Sequence, residues 1–297
     1  MNPYFSIVVP TYNRAALIGK TLRSLLDQSY DNYEIIVVDD GSTDNTEEVV
    51  RSFDHPRLRY FKKQNAERAA ARNYGASKAE GEFVNFFDSD DLALPDHLSV
   101  AAQLLQEHPE ANWFHLGYEW ADPDGVVFRS VNRFQGDTLN NLMASGNPLS
   151  CNGVFVRREV LKQHPFNEDR ALSASEDYEL WCRLTARYPL YYSNKVTSTI
   201  IDHEARSVRV IHGEKLIQRL ELLIHYLRQD AIVMQYFGNS FCRIRMDSNS
   251  YIALHLANAP KYKFQSIVYL LKSMGNNLYL LRTKRFYACV KNILIKW

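Results

Sequence analysis

Residues 83–91 read Phe83-Val84-Asn85-Phe86-Phe87-Asp88-Ser89-Asp90-Asp91. Phe83 to Phe87 is a short, mostly apolar run that reads as a buried strand, and four polar residues end it. Carboxylates two apart at a strand mouth can present oxygens to one hard cation. Mg2+ and Mn2+ prefer such ligands, with phosphate oxygens completing the shell. The plainer reading is an Asp-rich turn ahead of a helix that Pro95 would open.

Upstream, the same pattern recurs. Ser6 to Pro10 is a β-branched run that ends in Thr11-Tyr12-Asn13-Arg14. Glu34 to Val38 is another, followed by Asp39-Asp40-Gly41-Ser42, and Leu58 to Phe61 is a third. Between them lie helical patterns over residues 15–28 and 43–53, with Ser42 or Thr43 as the expected N-cap, and over 67–79. Strands alternating with helices predict a mostly parallel α/β sheet with right-handed crossovers. In such sheets ligands collect beyond the carboxyl ends of the strands. Three strand ends carry Asp, Asn, Thr or Tyr here, which is more than turns alone require.

Each cluster has its own chemistry. A carboxylate at Asp40 can accept from a base N–H or a ribose hydroxyl, or it can simply serve the turn. Tyr12 can stack on a nucleobase. Ser175-Glu176-Asp177 opens a helical pattern over 178–187, where an acid can act as a general base or merely complement the helix dipole. No G-x-G-x-x-G and no G-x-x-x-x-G-K-[ST] occurs, which removes the usual support for dinucleotide and P-loop sites.

Beyond residue 110 the pattern loosens. Residues 113–120 and 126–131 predict strands around the turn Asp122-Pro123-Asp124-Gly125, and 154–156 predicts another. From Glu214 the chain turns helical and aromatic-rich. The expected division is 1–212 for the α/β domain and 213–297 for a helical appendage.

Charge is unevenly spread. The 297 residues carry a net +1, yet no Asp or Glu follows Asp247, whereas eight Lys and Arg do. The first 247 residues therefore hold 27 basic and 34 acidic residues, a net −7. The tail, residues 261–297, mixes those cations with Tyr, Phe, Leu, Ile and Trp297. It suits an anionic membrane surface, or equally a packed helical cap with a solvated basic side. Four widely spaced cysteines without a C-x-x-C pair read as reduced, packed thiols. Residues 1–5 show no basic leader region, and no run reaches the ~18–20 apolar residues of a membrane span. The expectation is a cytoplasmic protein, at the inner face of the membrane if the tail binds lipid.

The sequence resembles family-2 glycosyltransferases. The resemblance rests on five pieces in order: residues 7–14, 34–44, Ala71-Arg72-Asn73-Tyr74-Gly75, 81–91 and 176–184. Together they cover about residues 4–210. The resemblance implies a GT-A fold, a Rossmann-like α/β sheet flanked by helices. It also implies inverting transfer of a sugar from a nucleotide-sugar donor, with UDP-sugar favoured, in surface polysaccharide or glycolipid assembly. The acceptor would be a saccharide or lipid-linked; nucleic acid is not implied. Pro10, Thr11, Tyr12, Asn13, Arg14, Asp40, Arg72, Asp88 and Ser89 would form the nucleotide site. Asp90, with Asp88 and His203, would hold Mn2+ or Mg2+. Asp177 would be the catalytic base, with Glu176 the runner-up. Asn152-Gly153 is expected to be a small-residue loop that lets a ligand approach the backbone. Two rival classes stay open: a non-catalytic assembly protein that keeps the fold, and a nucleotidyltransferase. The latter would want a Gly-rich basic loop after the first strand, which Thr11 to Arg14 does not supply.

Overall fold

A computed structural model describes residues 3–131, 142–204 and 213–295. Residues 132–141 and 205–212 fall outside them, as do Lys296 and Trp297 of the tail. The chain forms two compact units. The first is built from residues 3–131, 149–170 and 188–204, the second from 142–148, 171–187 and 213–295. Residues 142–148 and 171–187 thus group with the helices that follow Gly213.

The first unit is one twisted α/β sheet. Strands β1 (Phe5–Thr11), β2 (Tyr33–Asp39), β3 (Leu58–Lys62) and β4 (Phe83–Phe86) pair in parallel in the order β3-β2-β1-β4. β2 is buried along its whole length, and Phe5 to Val9 of β1 likewise, as central parallel strands require. Beyond β4 the sheet becomes mixed. β8 (Val154–Arg157) runs antiparallel to both β4 and β6 (Trp113–Ala121). β9 (Tyr191–Ile201) then pairs parallel to β6, with the two-residue β5 (Leu92–Ala93) antiparallel beyond it and β7 (Val127–Val131) antiparallel on β6. Two reversals restore direction, so β1, β2, β3, β4, β6 and β9 all point their carboxyl ends to the same edge.

Helices clothe this sheet. α1 (Ile18–Leu26) buries Ile18, Leu22 and Leu25, one stripe at helical spacing. α2 (Thr46–Arg51) follows β2, and α3 (Glu67–Lys78) lies close on β1 and β2. A Cβ at Gly75 would come within 2.3 Å of a Val8 methyl, so only hydrogen fits there. That close approach brings Arg72, also on α3, down to the sheet edge. α4 (His97–Glu107) and α5 (Arg158–Gln163) complete the layer.

Two expectations about helix starts fail. α1 and α2 begin at Ile18 and Thr46, about three residues late. The expected caps have other work. Ser42 Oγ accepts the Asn13 N–H at 2.9 Å, while Asp44 accepts the Ala15 N–H at 3.1 Å. Thr46 Oγ1 accepts the Arg14 N–H at 2.9 Å. The loops after β1 and β2 are laced to each other before either helix can start.

The second unit is helical: α6 (Glu176–Thr185), α7 (Gly213–Gln229), α8 (Ala231–Phe237), α9 (Phe241–Leu256), α10 (Lys263–Asn276) and α11 (Lys284–Ile295). α10 packs tightly on α9 through small polar residues. Ser266 Oγ donates to the Ala253 carbonyl at 2.8 Å and Ser273 Oγ to that of Met246 at 2.7 Å. Tyr269, Leu270, Leu280 and Cys289 are buried with them. The tail is therefore part of a core, yet Phe264, Ile267 and Leu271 stand out on the opposite face of α10. All four cysteines are unbonded, and Cys151, Cys182 and Cys289 are buried. No helix among the described residues is long and apolar enough to cross a membrane.

Candidate active site

The acid cluster sits where the parallel strands end. Among the described residues, ligand oxygens of Asp88, Asp90 and Asp91 all lie within 4.8 Å of one another. Each carboxylate has a different environment. Asp91 is fully buried and spent on structure: it accepts from Asn152 Nδ2 at 2.8 Å and from the Ile201 N–H at 2.9 Å. Asp88 is partly exposed and accepts from Arg72 at 3.1 Å. Arg72 itself is buried, with its guanidinium 5.3 Å from the centre of the Phe166 ring. Asp90 faces His203 Nε2 at 3.0 Å and Arg14 Nε at 3.6 Å. Ser89 is buried between the two.

The expected residues of the first unit converge on one edge. Pro10 and Thr11 end β1, and Tyr12, Asn13 and Arg14 form the loop beyond it. Asn13 adopts a left-handed φ of 51°, a conformation Asn tolerates, and its side-chain oxygen accepts the Thr43 N–H at 2.9 Å. Tyr12 is left 46% exposed, open to stacking, whereas Thr11 is buried. Asp40 is buried and accepts from Lys63 Nζ at 2.7 Å and from the Ala66 N–H at 3.0 Å. His203 follows β9, the strand sequence patterning did not reveal. It lies beside Asp90 only because β9 runs parallel to β6 and ends at the same edge.

The donor set fits a hard divalent cation. Asp88 and Asp90 offer carboxylate oxygens that are not wholly buried and suit Mn2+ or Mg2+, and His203 adds an imidazole nitrogen that suits Mn2+ better than Mg2+.

Asn152 was not foreseen in its actual role. Its side-chain oxygen accepts the Asp88 N–H at 2.9 Å while its amide holds Asp91, and its carbonyl accepts from Asn85 at 2.8 Å. The expectation that Asn152-Gly153 opens the backbone to a ligand is wrong. Both residues are buried, and a Cβ at Gly153 would come within 2.5 Å of the Leu116 carbonyl. Glycine is needed there so that β8 can close on β6.

Asp177 and Glu176 belong to the second unit, at the first turn of α6. Glu176 is buried at 1% exposure, whereas Asp177 is half-buried and accepts from Asn147 Nδ2 at 3.0 Å and from the Tyr178 N–H at 2.7 Å. Arg219 of α7 is buried near both acids. Burial pulls its pKa down, and Tyr251, Glu176 and Asp177 push back. Nothing in the sequence marks Asn147 or Arg219, because neither sits in a motif.

Comparisons with known proteins give this geometry a family. The model of "Glycosyl transferase family 2" matches residues 6–164. The putative teichuronic acid biosynthesis glycosyltransferase TuaG of Bacillus subtilis is 35% identical over 80% of this chain and 96% of its own length. The UDP-Glc:alpha-D-GlcNAc-diphosphoundecaprenol beta-1,3-glucosyltransferase WfgD of Escherichia coli is 31% identical over 59% of this chain and 67% of its own. Uncharacterized glycosyltransferases of Rickettsia are longer, and the chain spans under half of their length. Among solved structures, S. aureus TarS 1-349 in complex with UDP-GlcNAc has a TM-score of 0.65 at 19% identity, covering 94% of this chain and 92% of that one. The mannosyltransferase PcManGT of Pyrobaculum calidifontis, in complex with GDP-Man and Mn2+, has a TM-score of 0.59 at 21% identity, covering 94% and 88%. The fold is GT-A. The family match runs from β1 through the acid cluster to α5, over more than half of the chain: it belongs to glycosyl transferase family 2.

Proposed function

We propose that the protein transfers a glycosyl group from a nucleoside-diphosphate sugar to an acceptor hydroxyl, inverting the anomeric carbon, in surface polysaccharide or glycolipid assembly. The observation that carries this is the strand-end cluster of Asp88, Asp90 and His203, flanked by Arg14 and Arg72. Tyr12 would stack on the base, and Thr11 and Asp40 would hold base and ribose, with Pro10, Asn13 and Ser89 shaping that site. A UDP-sugar is favoured, in keeping with the UDP-sugars in the WfgD name and the TarS complex.

Asp88, Asp90 and His203 would hold Mn2+ or Mg2+, which supplies Lewis-acid neutralisation of a diphosphate. Arg14 adds a fixed positive charge beside Asp90. Asp177 takes the proton of the acceptor hydroxyl, whose oxygen attacks the anomeric carbon as the bond to the diphosphate oxygen breaks. A single displacement of this kind inverts the centre. The partial exposure of Asp177 supports it over buried Glu176 as the base. The acceptor is a saccharide, carried on a lipid diphosphate as in the WfgD name, and the C-terminal unit meets the inner face of an anionic membrane.

The test is a panel of nucleotide sugars offered with lipid-diphosphate saccharides. UDP release coupled to a lengthened acceptor, lost in chelator and regained with Mn2+ or Mg2+, is the expected result. Donor binding without any transfer across the panel would favour a non-catalytic role.

A further inference from the structure

Three helices of the second unit line an open cavity of about 580 Å³, and the chemistry above uses none of its lining residues. α7 contributes Arg228, α9 contributes Arg245 and Asn249, and α10 contributes Lys272 and Asn276. Among the described residues, no carboxylate pairs with Arg228, Arg245 or Lys272. Arg228 instead lies 5.9 Å from the centre of the Phe241 ring, and the Lys272 ammonium lies 4.4 Å from that of Tyr269. Arg245 is half-buried. A guanidinium held partly out of water gains from an anionic partner.

Glu221 is the acid on this wall, and its carboxylate already accepts from the Tyr269 hydroxyl at 2.7 Å. Leaving out His225, the lining carries a net charge of +2. One carboxylate would balance half of that, whereas a phosphate monoester or a diphosphate diester would balance it all. Guanidinium forks match phosphate oxygens two at a time. Asn249 provides an amide of the kind that bonds sugar hydroxyls, and Asn276, whose Nδ2 donates to the Lys272 carbonyl at 2.6 Å, keeps its side-chain oxygen as an acceptor. The rim beside Gly275 is open, since a Cβ there would meet nothing within 4 Å.

We infer that the cavity between α7, α9 and α10 is a binding site for a phosphate group carried on a saccharide, with Arg245 as its central ligand. Two sources supply that chemistry: the diphosphate of a lipid-linked saccharide, or a soluble sugar phosphate. The inference needs no turnover, so it stands or falls apart from the transfer reaction.

Calorimetric titration of the full chain with inorganic pyrophosphate, after removal of divalent metal, tests it. Saturable binding is expected, weakened at least tenfold in Arg245→Ala and largely restored in Arg245→Lys. Absence of saturable heat with the wild type, or equal affinity in Arg245→Ala, overturns the site. Loss in Arg14→Ala instead, which removes the cation beside Asp90, would assign the heat to the nucleotide site and also overturn it. Glucose 1-phosphate and a short-chain prenyl-diphosphate saccharide then separate the sources. Whichever binds more tightly than pyrophosphate, with the same dependence on Arg245, identifies the natural carrier.

Discussion

Asp90 is the carboxylate of the cluster that faces both His203 and Arg14, and it is not wholly buried. Asp90→Asn keeps the shape and removes the charge. Transfer should fall by ~10²-fold or more, the scale of losing one preorganised electrostatic contact, with the melting temperature little changed. Wild-type turnover in the variant, measured with and without chelator, would take metal binding away from this residue. Asp177→Asn should behave differently. General-base assistance is typically worth ~10²–10⁴-fold, so turnover should drop by that much while donor affinity holds. Reduced affinity for UDP instead would move Asp177 into the nucleotide site. These residues were legible because each stands in a motif at a strand or helix end. The roles of Asn152 and Asn147 were not, because an amide that holds an acid or its backbone by a hydrogen bond leaves no periodicity or spacing in the chain.

At the scale of elements, β1, β2, β3, β4 and β8 were legible because each is a short run dominated by apolar or β-branched residues and ended by polar ones. β9 was missed. Its first half, Tyr191-Tyr192-Ser193-Asn194-Lys195, is polar, and only pairing with β6 makes it a strand. The late starts of α1 and α2 have the same origin, since long-range hydrogen bonds between loops outbid local capping. Two buried histidines on these elements give a pH signature. His97 of α4 and His115 of β6 are fully enclosed, and burial lowers each pKa from 6.5 to about 3. His115 Nε2 accepts the Ser150 N–H at 3.3 Å, which requires the neutral ring. The unfolded chain therefore binds more protons than the folded one between about pH 6.5 and 3. Their stabilising effect is complete above pH 6.5 and drains away as pH falls. Each should cost about 2 kcal/mol by pH 5. Urea unfolding at pH 7 and pH 5 checks this. His97→Gln should lower stability at both values and make its dependence on pH shallower; an unchanged slope would mean that His97 titrates normally.

At the scale of the molecule, the tail is core and surface at once. Ending the chain near Ala259 would strip Tyr269, Leu270 and Leu280 from a packed interior, so loss of function in such a truncation would say little about lipid. Substitution is the cleaner probe. Phe264, at 78% exposure, with Ile267 and Leu271, can be changed to serine without touching the buried face of α10. The full chain should float with anionic vesicles and the triple variant should not, with partial release of the wild type as salt shortens the Debye length to ~8 Å. Equal flotation of both would leave this face without a membrane role.

The knot around Asn152 ties together strands far apart in sequence. It fastens the amide of Asp88 at the end of β4, and through Asp91 it fastens the amide of Ile201 at the end of β9. Those two amide protons share one latch, so they should trade with deuterium from solvent at a common, slow rate. Asn152→Ala should quicken both together, whereas Asp90→Asn should quicken neither. Two peptide groups far apart in sequence would then keep the same time, set by one side chain.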